Sequence, residues 1–363
     1  MSDLRIAVLG VGLMGASHVE ALSRRTSGAE VTVINDFIPE KADQVAAQVG
    51  ARVVGDPIDA INDPDVNAVL LATPGAAHAA QINACLDRGI PVLCEKPLTT
   101  DIASAHAIVQ KEKALGRQLI QVGFMRRFDA EHVALRNLIT SGGLGNPLMM
   151  HCTHRNPAVG DHFTSEFMIR DSVVHEVDSA RYLLGEELTS VQVIKGAATG
   201  IAPNGINDPM LVIFETESGR IVTDEIFVRT QVAYEVRTEV VGEKGSALIG
   251  LDQNLQVKSS DGRWGGQLAP GFVQRFGAAY ETELQRWADA ARTGTIDGPG
   301  AWDGFAAVAV CEAGVEALRT GGKVAVRLDG GVSSFHPSAR QVIFDADEPE
   351  PGITAPDLIG DRP

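Results

Sequence analysis

The stretch RDSVVHEVDSARYLL, residues 170–184, carries Asp171, His175 and Asp178. In a helix, spacings of four and three place all three on one face. Two carboxylates beside one imidazole suit a surface salt-bridge cluster, a metal site or an acid/base device. Histidine titrates near neutral pH, so it can take the proton of an alcohol. A carboxylate one turn away, as Asp171 would be, raises the imidazole pKa and orients the ring. A second reactive pair, Glu95 and Lys96, stands in CEKPLT at the end of a strand-like run. Pro97 disfavours helical backbone at Lys96. Glu95 and Lys96 form either a solvated ion pair or a site where the ammonium favours an alkoxide-like transition state.

A third feature binds rather than reacts. Gly10, Gly12 and Gly15 form G-x-G-x-x-G between the apolar run LRIAVL and a helical stretch over about residues 14–25. The first glycine permits the tight turn, the second lets a pyrophosphate approach the backbone, and the third lets helix and strand pack closely. The phosphates would then face the helix N-terminus, with Leu13 and Met14 in the same loop. Asp36 ends the next strand, EVTVIND. A carboxylate there accepts both ribose hydroxyls of NAD and repels the extra phosphate of NADP. The alternative is a structural turn with a surface aspartate. ATPGAAH, residues 72–78, ends another buried strand, which makes Thr73, Pro74 and His78 cofactor-side candidates. His78 reads equally as a helix-surface residue. Glu95 and Lys96 end a further strand and border the same crevice.

The elements that must hold these residues alternate. Short buried strands and helices follow one another as far as QLIQVG, which argues for a mainly parallel sheet covered on both faces. Beyond Gly123 the pattern changes. A helix over residues 130–139, the strand LMMHCTHRN and a loop rich in His, Phe and Thr lead into the stretch described first. From about residue 189 to 257, long segments interleave polar and apolar residues, as an antiparallel sheet with one wet face requires. Helices are expected at 272–293 and 301–319, then the strand KVAVRL. The fold class is therefore α/β: an N-terminal Rossmann dinucleotide-binding domain plus a C-terminal α+β domain with a large, mainly antiparallel sheet. The expected boundaries are 1–123 for the nucleotide domain, 124–330 for substrate binding and oligomerisation, and 331–363 for an acidic C-terminal arm.

Bulk composition narrows the function. The 363 residues carry a formal net charge of -16, and the longest basic cluster is the MRRF segment. That argues against a general nucleic-acid or anionic-membrane binder. Four scattered cysteines without a C-x-x-C pair suggest reduced thiols in a cytoplasm. The opening MSDLRIAVLG lacks the character of a signal peptide, and no apolar run is long enough to span a membrane.

Taken together, GVGLMG after the first strand, ATP, EKP, GFMRRFD and D-x-x-x-H within RDSVVHEVDSARYLLG make the chain resemble the glucose-fructose oxidoreductase/inositol dehydrogenase/rhizopine catabolism family. The resemblance runs over roughly residues 3–330. MRRFD, HRNP and D-x-x-x-H-x-x-D read together resemble the family's inositol-oxidising members. It implies NAD as cofactor and oxidation of myo-inositol to 2-keto-myo-inositol. The resemblance implies that Lys96 hydrogen-bonds the reacting hydroxyl and steadies developing negative charge, that His175 is the general base or acid, and that Asp171 supports the histidine and helps relay its proton. Met125, Arg126, His154, Asn156 and Asp178 line the polyol site, and Tyr234 joins them on a looser alignment. A homotetramer is also implied only by the resemblance.

Other assignments compete. Asp178 can pair with Arg181 on the helix surface, and Arg126 or Arg127 can be an interdomain salt-bridge partner. His151, His154 and His162 cluster with Cys152 and Asp161 and invite a metal. His151 and His154, three apart on a strand, point to opposite faces, and nicotinamide hydride transfer needs no metal. The rival functions are a scyllo-inositol or pyranose dehydrogenase of the same kind, and a non-catalytic dinucleotide sensor.

Overall fold

A computed structural model of the chain describes residues 4–250, 257–259, 262–264 and 268–328. The arm expected over 331–363 lies outside the described residues. The first half contains β1 (Leu4–Leu9), α1 (Leu13–Arg24), β2 (Ala29–Asn35), α2 (Pro39–Val49), β3 (Arg52–Val53), α3 (Pro57–Asn62), β4 (Ala68–Leu71), α4 (Gly75–Arg88), β5 (Val92–Glu95), α5 (Ile102–Leu115) and β6 (Ile120–Gly123). These strands form one parallel sheet in the order β3-β2-β1-β4-β5-β6. All residues of β4, β5 and β6 are buried, so the sheet must be covered on both faces.

A short 3₁₀ turn, Met125–Phe128, opens the second half. It continues with α6 (Ala130–Thr140), β7 (Pro147–Arg155), α7 (Ser165–Met168), a π turn (Ile169–Val173), α8 (Val174–Leu184), β8 (Leu188–Lys195), β9 (Met210–Thr216), β10 (Ile221–Phe227), β11 (Glu235–Gly242) and β12 (Gly245–Ile249). The small hairpin β13 (Val257–Ser259) and β14 (Gly262–Trp264) precedes α9 (Phe272–Thr293), α10 (Ala301–Thr320) and β15 (Val324–Ala325). The large sheet runs β12-β11-β7-β10-β9-β8-β15. It is antiparallel except for the β7–β10 pair. Burial alternates along β9 and β10, so one face packs inward and the other is wet.

The two halves interlock more than a boundary at 123 suggests. Leu284, Trp287 and Ala288 of α9 pack with residues of α1, α2 and β1, closing one face of the parallel sheet. On its other face, α3, α4 and α5 share a core with α10, which also covers β8. A Cβ at Gly304 of α10 would stand 2.7 Å from Leu98 and 3.1 Å from Val122, so the helix lies close against the parallel sheet. The second half therefore supplies part of the first half's core, which holds the two sets of candidate residues in register. Among the described residues, no helix is long and apolar enough to cross a membrane.

Candidate active site

The glycine loop has the geometry that each glycine's role demands. Gly10 has φ +84, and a Cβ there would lie 2.5 Å from the Ala72 carbonyl oxygen. A Cβ at Gly15 would lie 1.9 Å from the Gly10 oxygen, so only hydrogen fits between helix and strand. At Gly12 nothing stands within 4 Å. Gly12 is the N-cap of α1, and no side chain caps the helix. The first N–H groups of α1 thus face open space, a berth for a pyrophosphate. Leu13 is 72% exposed beside it, and Met14 is half-buried. Asp36 accepts from the Val11 N–H at 2.6 Å and the Ile38 N–H at 2.8 Å, fixing its carboxylate at the rim of the loop. These residues fit a dinucleotide with free ribose hydroxyls.

The other strand ends converge on the same crevice. Pro74 caps α4, and the Thr73 hydroxyl donates to Gln81 at 2.7 Å. His78 departs from expectation, being fully buried. Its ring stands 2.8 Å from both the Thr73 and Pro97 carbonyl oxygens, so it braces the two loops and offers no edge to a cofactor. Glu95 is likewise turned inward. One carboxylate oxygen lies 2.7 Å from His18 Nε2 and the other accepts from the Lys96 N–H.

Lys96 Nζ reaches across to the second half and donates to Asp171 Oδ1 at 2.8 Å and to the Asp171 carbonyl at 3.1 Å. This corrects the expected pairing of Asp171 with His175. The backbone around Asp171 opens into the π turn instead of continuing α8. The wider turn moves Asp171 out of α-helical phase with His175, a distortion frequent at functional sites. His175 makes no hydrogen bond to another described residue. Burial first, then the charges of Lys96, Arg126 and His154, hold its imidazole well below the usual histidine range. It is a neutral ring beside a cation.

Behind it stands a buried pair. Arg126 Nη1 donates to Glu176 Oε1, and Glu176 Oε2 lies 3.1 Å from His154 Nδ1. Burial alone would raise the Glu176 carboxyl, but Arg126 and His154 overcome it and hold it at about 2. The His154 ring centroid is 6.3 Å from that of His175 and 5.7 Å from that of Tyr234, edge to face. Tyr234 packs with Met125 and Phe276, and burial pushes its hydroxyl up to about 12. Asn156 follows β7; its backbone is held by Phe227 and Thr230, while its side-chain Oδ1 has no hydrogen-bond partner among the described residues.

Two polyol-site candidates are thereby reassigned. Arg126 is 2% exposed and committed to Glu176, so it supports His154 from behind. Asp178 is bound through both oxygens by Arg127, at 2.6 to 3.1 Å, not by Arg181. Arg127 and Arg181 both bridge to Asp303 on α10, and Arg181 also holds Glu187. Asp178 thus joins a buried ion network tying α8 to α10. His151 lies 2.8 Å from Thr223 on the sheet face opposite His154. Glu176 was missed because neighbours along a helix do not share a face, and nothing in its spacing distinguishes it from a solvated acid. His18 gave no signal because its partner, Glu95, lies 77 residues away in sequence.

Comparison with known proteins extends these observations. Residues 4–124 match the oxidoreductase family, NAD-binding Rossmann fold, and residues 136–326 match that family's C-terminal α/β domain. An inositol 2-dehydrogenase of Rhodococcus erythropolis is 60% identical over 330 residues, 89% of this chain and 95% of that protein. One from Mycolicibacterium gilvum is 59% identical over 93% of this chain and 97% of its own. Among solved structures, myo-inositol dehydrogenase from Lactobacillus casei in complex with NAD(H) and myo-inositol superposes with a TM-score of 0.87 at 31% identity, covering 92% of this chain and 99% of that one.

Proposed function

The chain belongs to the oxidoreductase family that joins an NAD-binding Rossmann fold to a C-terminal α/β domain, and from that premise we propose how it oxidises inositol. It is an NAD-dependent enzyme acting on myo-inositol, which it converts to 2-keto-myo-inositol. The observation that carries the site assignment is the Lys96–Asp171 contact at the end of β5, with the Lys96 charge acting on the buried His175.

Gly12, Leu13 and Met14 hold the dinucleotide's phosphates on a turn shaped by Gly10 and Gly15, Asp36 holds its ribose, and Thr73 and Pro74 border it. When bound, NAD accepts the hydride. His175 takes the hydroxyl proton as the C–H bond breaks and the carbonyl forms; its depressed pKa keeps it neutral and able to accept. Lys96 stabilises the oxygen as negative charge develops. Asp171 anchors the Lys96 ammonium and helps set the charge beside His175. His154, Asn156 and Tyr234 meet the ring hydroxyls, with Met125 and Arg126 behind them. Such a polar wall rejects stereoisomers that leave one of its groups unpaired.

The test is a substrate panel of myo-inositol, scyllo-inositol, D-chiro-inositol and D-glucose, each with NAD and NADP, followed by NADH absorbance. Turnover of myo-inositol with NAD supports the reading. Turnover confined to another ring would overturn the substrate while keeping the mechanism.

The protein also self-associates in this reading, as a homotetramer. Ile194, Leu211, Ile221 and Leu248 are each more than a third exposed on the outer face of the large sheet, interspersed with Glu215, Glu225 and Glu239 across the strands, a mixed surface open to a second copy. The four cysteines are unpaired and buried, which suits a reducing compartment such as the cytoplasm.

A further inference from the structure

His18 is 1% exposed and lies on α1, the helix whose N-terminus forms the phosphate berth. Its Nε2 faces Glu95 Oε1 at 2.7 Å. In the tautomer that carries the proton on Nε2, the ring donates to this oxygen. The second Glu95 oxygen accepts from the Lys96 backbone N–H at 3.2 Å. The carboxylate has room because its neighbour in the β5–β6 register is Gly123, where a Cβ would press on Glu95 at 3.1 Å. Tyr280 of α9 closes the site edge-on, its ring centroid 5.8 Å from that of His18. A continuous chain of contacts therefore runs from the phosphate-binding helix to the backbone of the reactive lysine, inside the fold and away from substrate.

We propose that His18 and Glu95 are positioning residues that couple seating of the dinucleotide on α1 to the placement of Lys96. Buried polar groups of this kind are costly unless fully paired, and this pair is held by both ends. Glu95 was a candidate for touching the cofactor; here it acts through Lys96 instead. The inference rests on the role given to Lys96 above.

Two readouts test it in the full-length enzyme. The first is steady-state turnover of myo-inositol with NAD. The second is acetylation of Lys96 by an N-hydroxysuccinimide ester, followed by mass spectrometry with and without NADH, which needs no turnover. His18→Leu should lower kcat about tenfold to a hundredfold, the scale of a misplaced catalytic group, while KM for inositol stays near wild type. His18→Gln, whose amide reaches the same oxygen, should recover most of the loss. NADH should change the Lys96 acetylation rate in wild type but not in His18→Leu. Unaltered kcat and acetylation in His18→Leu overturn the inference, and so does an equal loss in His18→Gln. Should His18→Leu fail to fold, Glu95→Leu decides, because it leaves neither His18 nor the Lys96 N–H its side-chain partner; wild-type behaviour there also overturns it. Wild-type enzyme inert towards inositol would instead strike the substrate assignment, and the acetylation comparison would still decide the coupling.

Discussion

The dinucleotide side and the polyol side of the crevice are built on opposite principles. On the proposed dinucleotide side, the groups on offer are largely backbone: an α1 N-terminus with no side-chain cap at Gly12, a tight turn at Gly10, and one carboxylate, Asp36, held by two main-chain donors. On the proposed polyol side, side chains from the end of β5, the π turn, α8 and β7 are drawn together, and most are held by another charged or polar group: Lys96 by Asp171, and His154 and Arg126 by Glu176. A backbone site is specified by residues adjacent in sequence. A side-chain site is specified by partners far apart, such as Arg126 with Glu176 or Arg127 with Asp303. Substitutions on the first side should therefore change affinity, and substitutions on the second should change either rate or folding.

The largest effect should fall on folding. Asp178→Ala leaves Arg127 buried without its main partner, and breaking a buried pair costs about 3–5 kcal/mol. Thermal unfolding should drop sharply, while kcat of the protein that remains folded stays near wild type. A variant with normal stability but lost inositol affinity would return Asp178 to the polyol site.

Next comes rate. Lys96→Ala should lower kcat by about 10²–10³, the loss typical of a removed oxyanion stabiliser, with NADH binding kept. His175→Asn should cost about 10²–10⁴ as the loss of a general base. The pH profile adds a sign. Oxidation needs neutral His175, so kcat/KM falls as pH drops through its pKa, which burial and the Lys96 charge hold below the ordinary 6.5. The acid limb should lie below that value, and Lys96→Met should move it upward. A limb that stays put would separate the two groups electrostatically and break the proposed arrangement.

The two principles also explain what was legible in the sequence. The strand–glycine–helix unit, Asp36 and the ends of α9 and α10 could be read directly, because local spacing encodes them. Lys96, Asp171 and His175 were legible as a set, but their pairing was not. An α-helical phase put Asp171 beside His175, whereas the π turn gives it to Lys96. His78 looked like a surface or cofactor residue because its loop borders the crevice; only tertiary packing turns it inward between two carbonyls. Glu176 and His18 carried no signal, since the partner of a buried charge is a fact of the fold.

On the dinucleotide side, effects should be smaller and confined to affinity. Asp36→Ala removes a charged hydrogen-bond acceptor worth about 1.5–3 kcal/mol. It should raise KM for NAD about tenfold to a hundredfold and narrow the preference over NADP. Unchanged discrimination would mean that the preference resides elsewhere.

The finest distinction lies between two glycines of the same loop. Gly12 has φ -64, which alanine adopts without strain, and open space around it. Gly12→Ala should leave unfolding within about 1 kcal/mol of wild type, because at an N-cap alanine is only modestly worse than glycine. It should nonetheless weaken NADH binding, because the methyl group projects where the pyrophosphate approaches. Gly15→Ala, by contrast, drives a methyl group into the Gly10 carbonyl 1.9 Å away and must move backbone, so stability should fall before affinity can be read. Paired NADH titration and thermal unfolding of the two variants separate a glycine kept open for a ligand from one kept bare for packing. If both variants lost stability alike, the open space at Gly12 would be part of the fold's own packing and not a berth for phosphate.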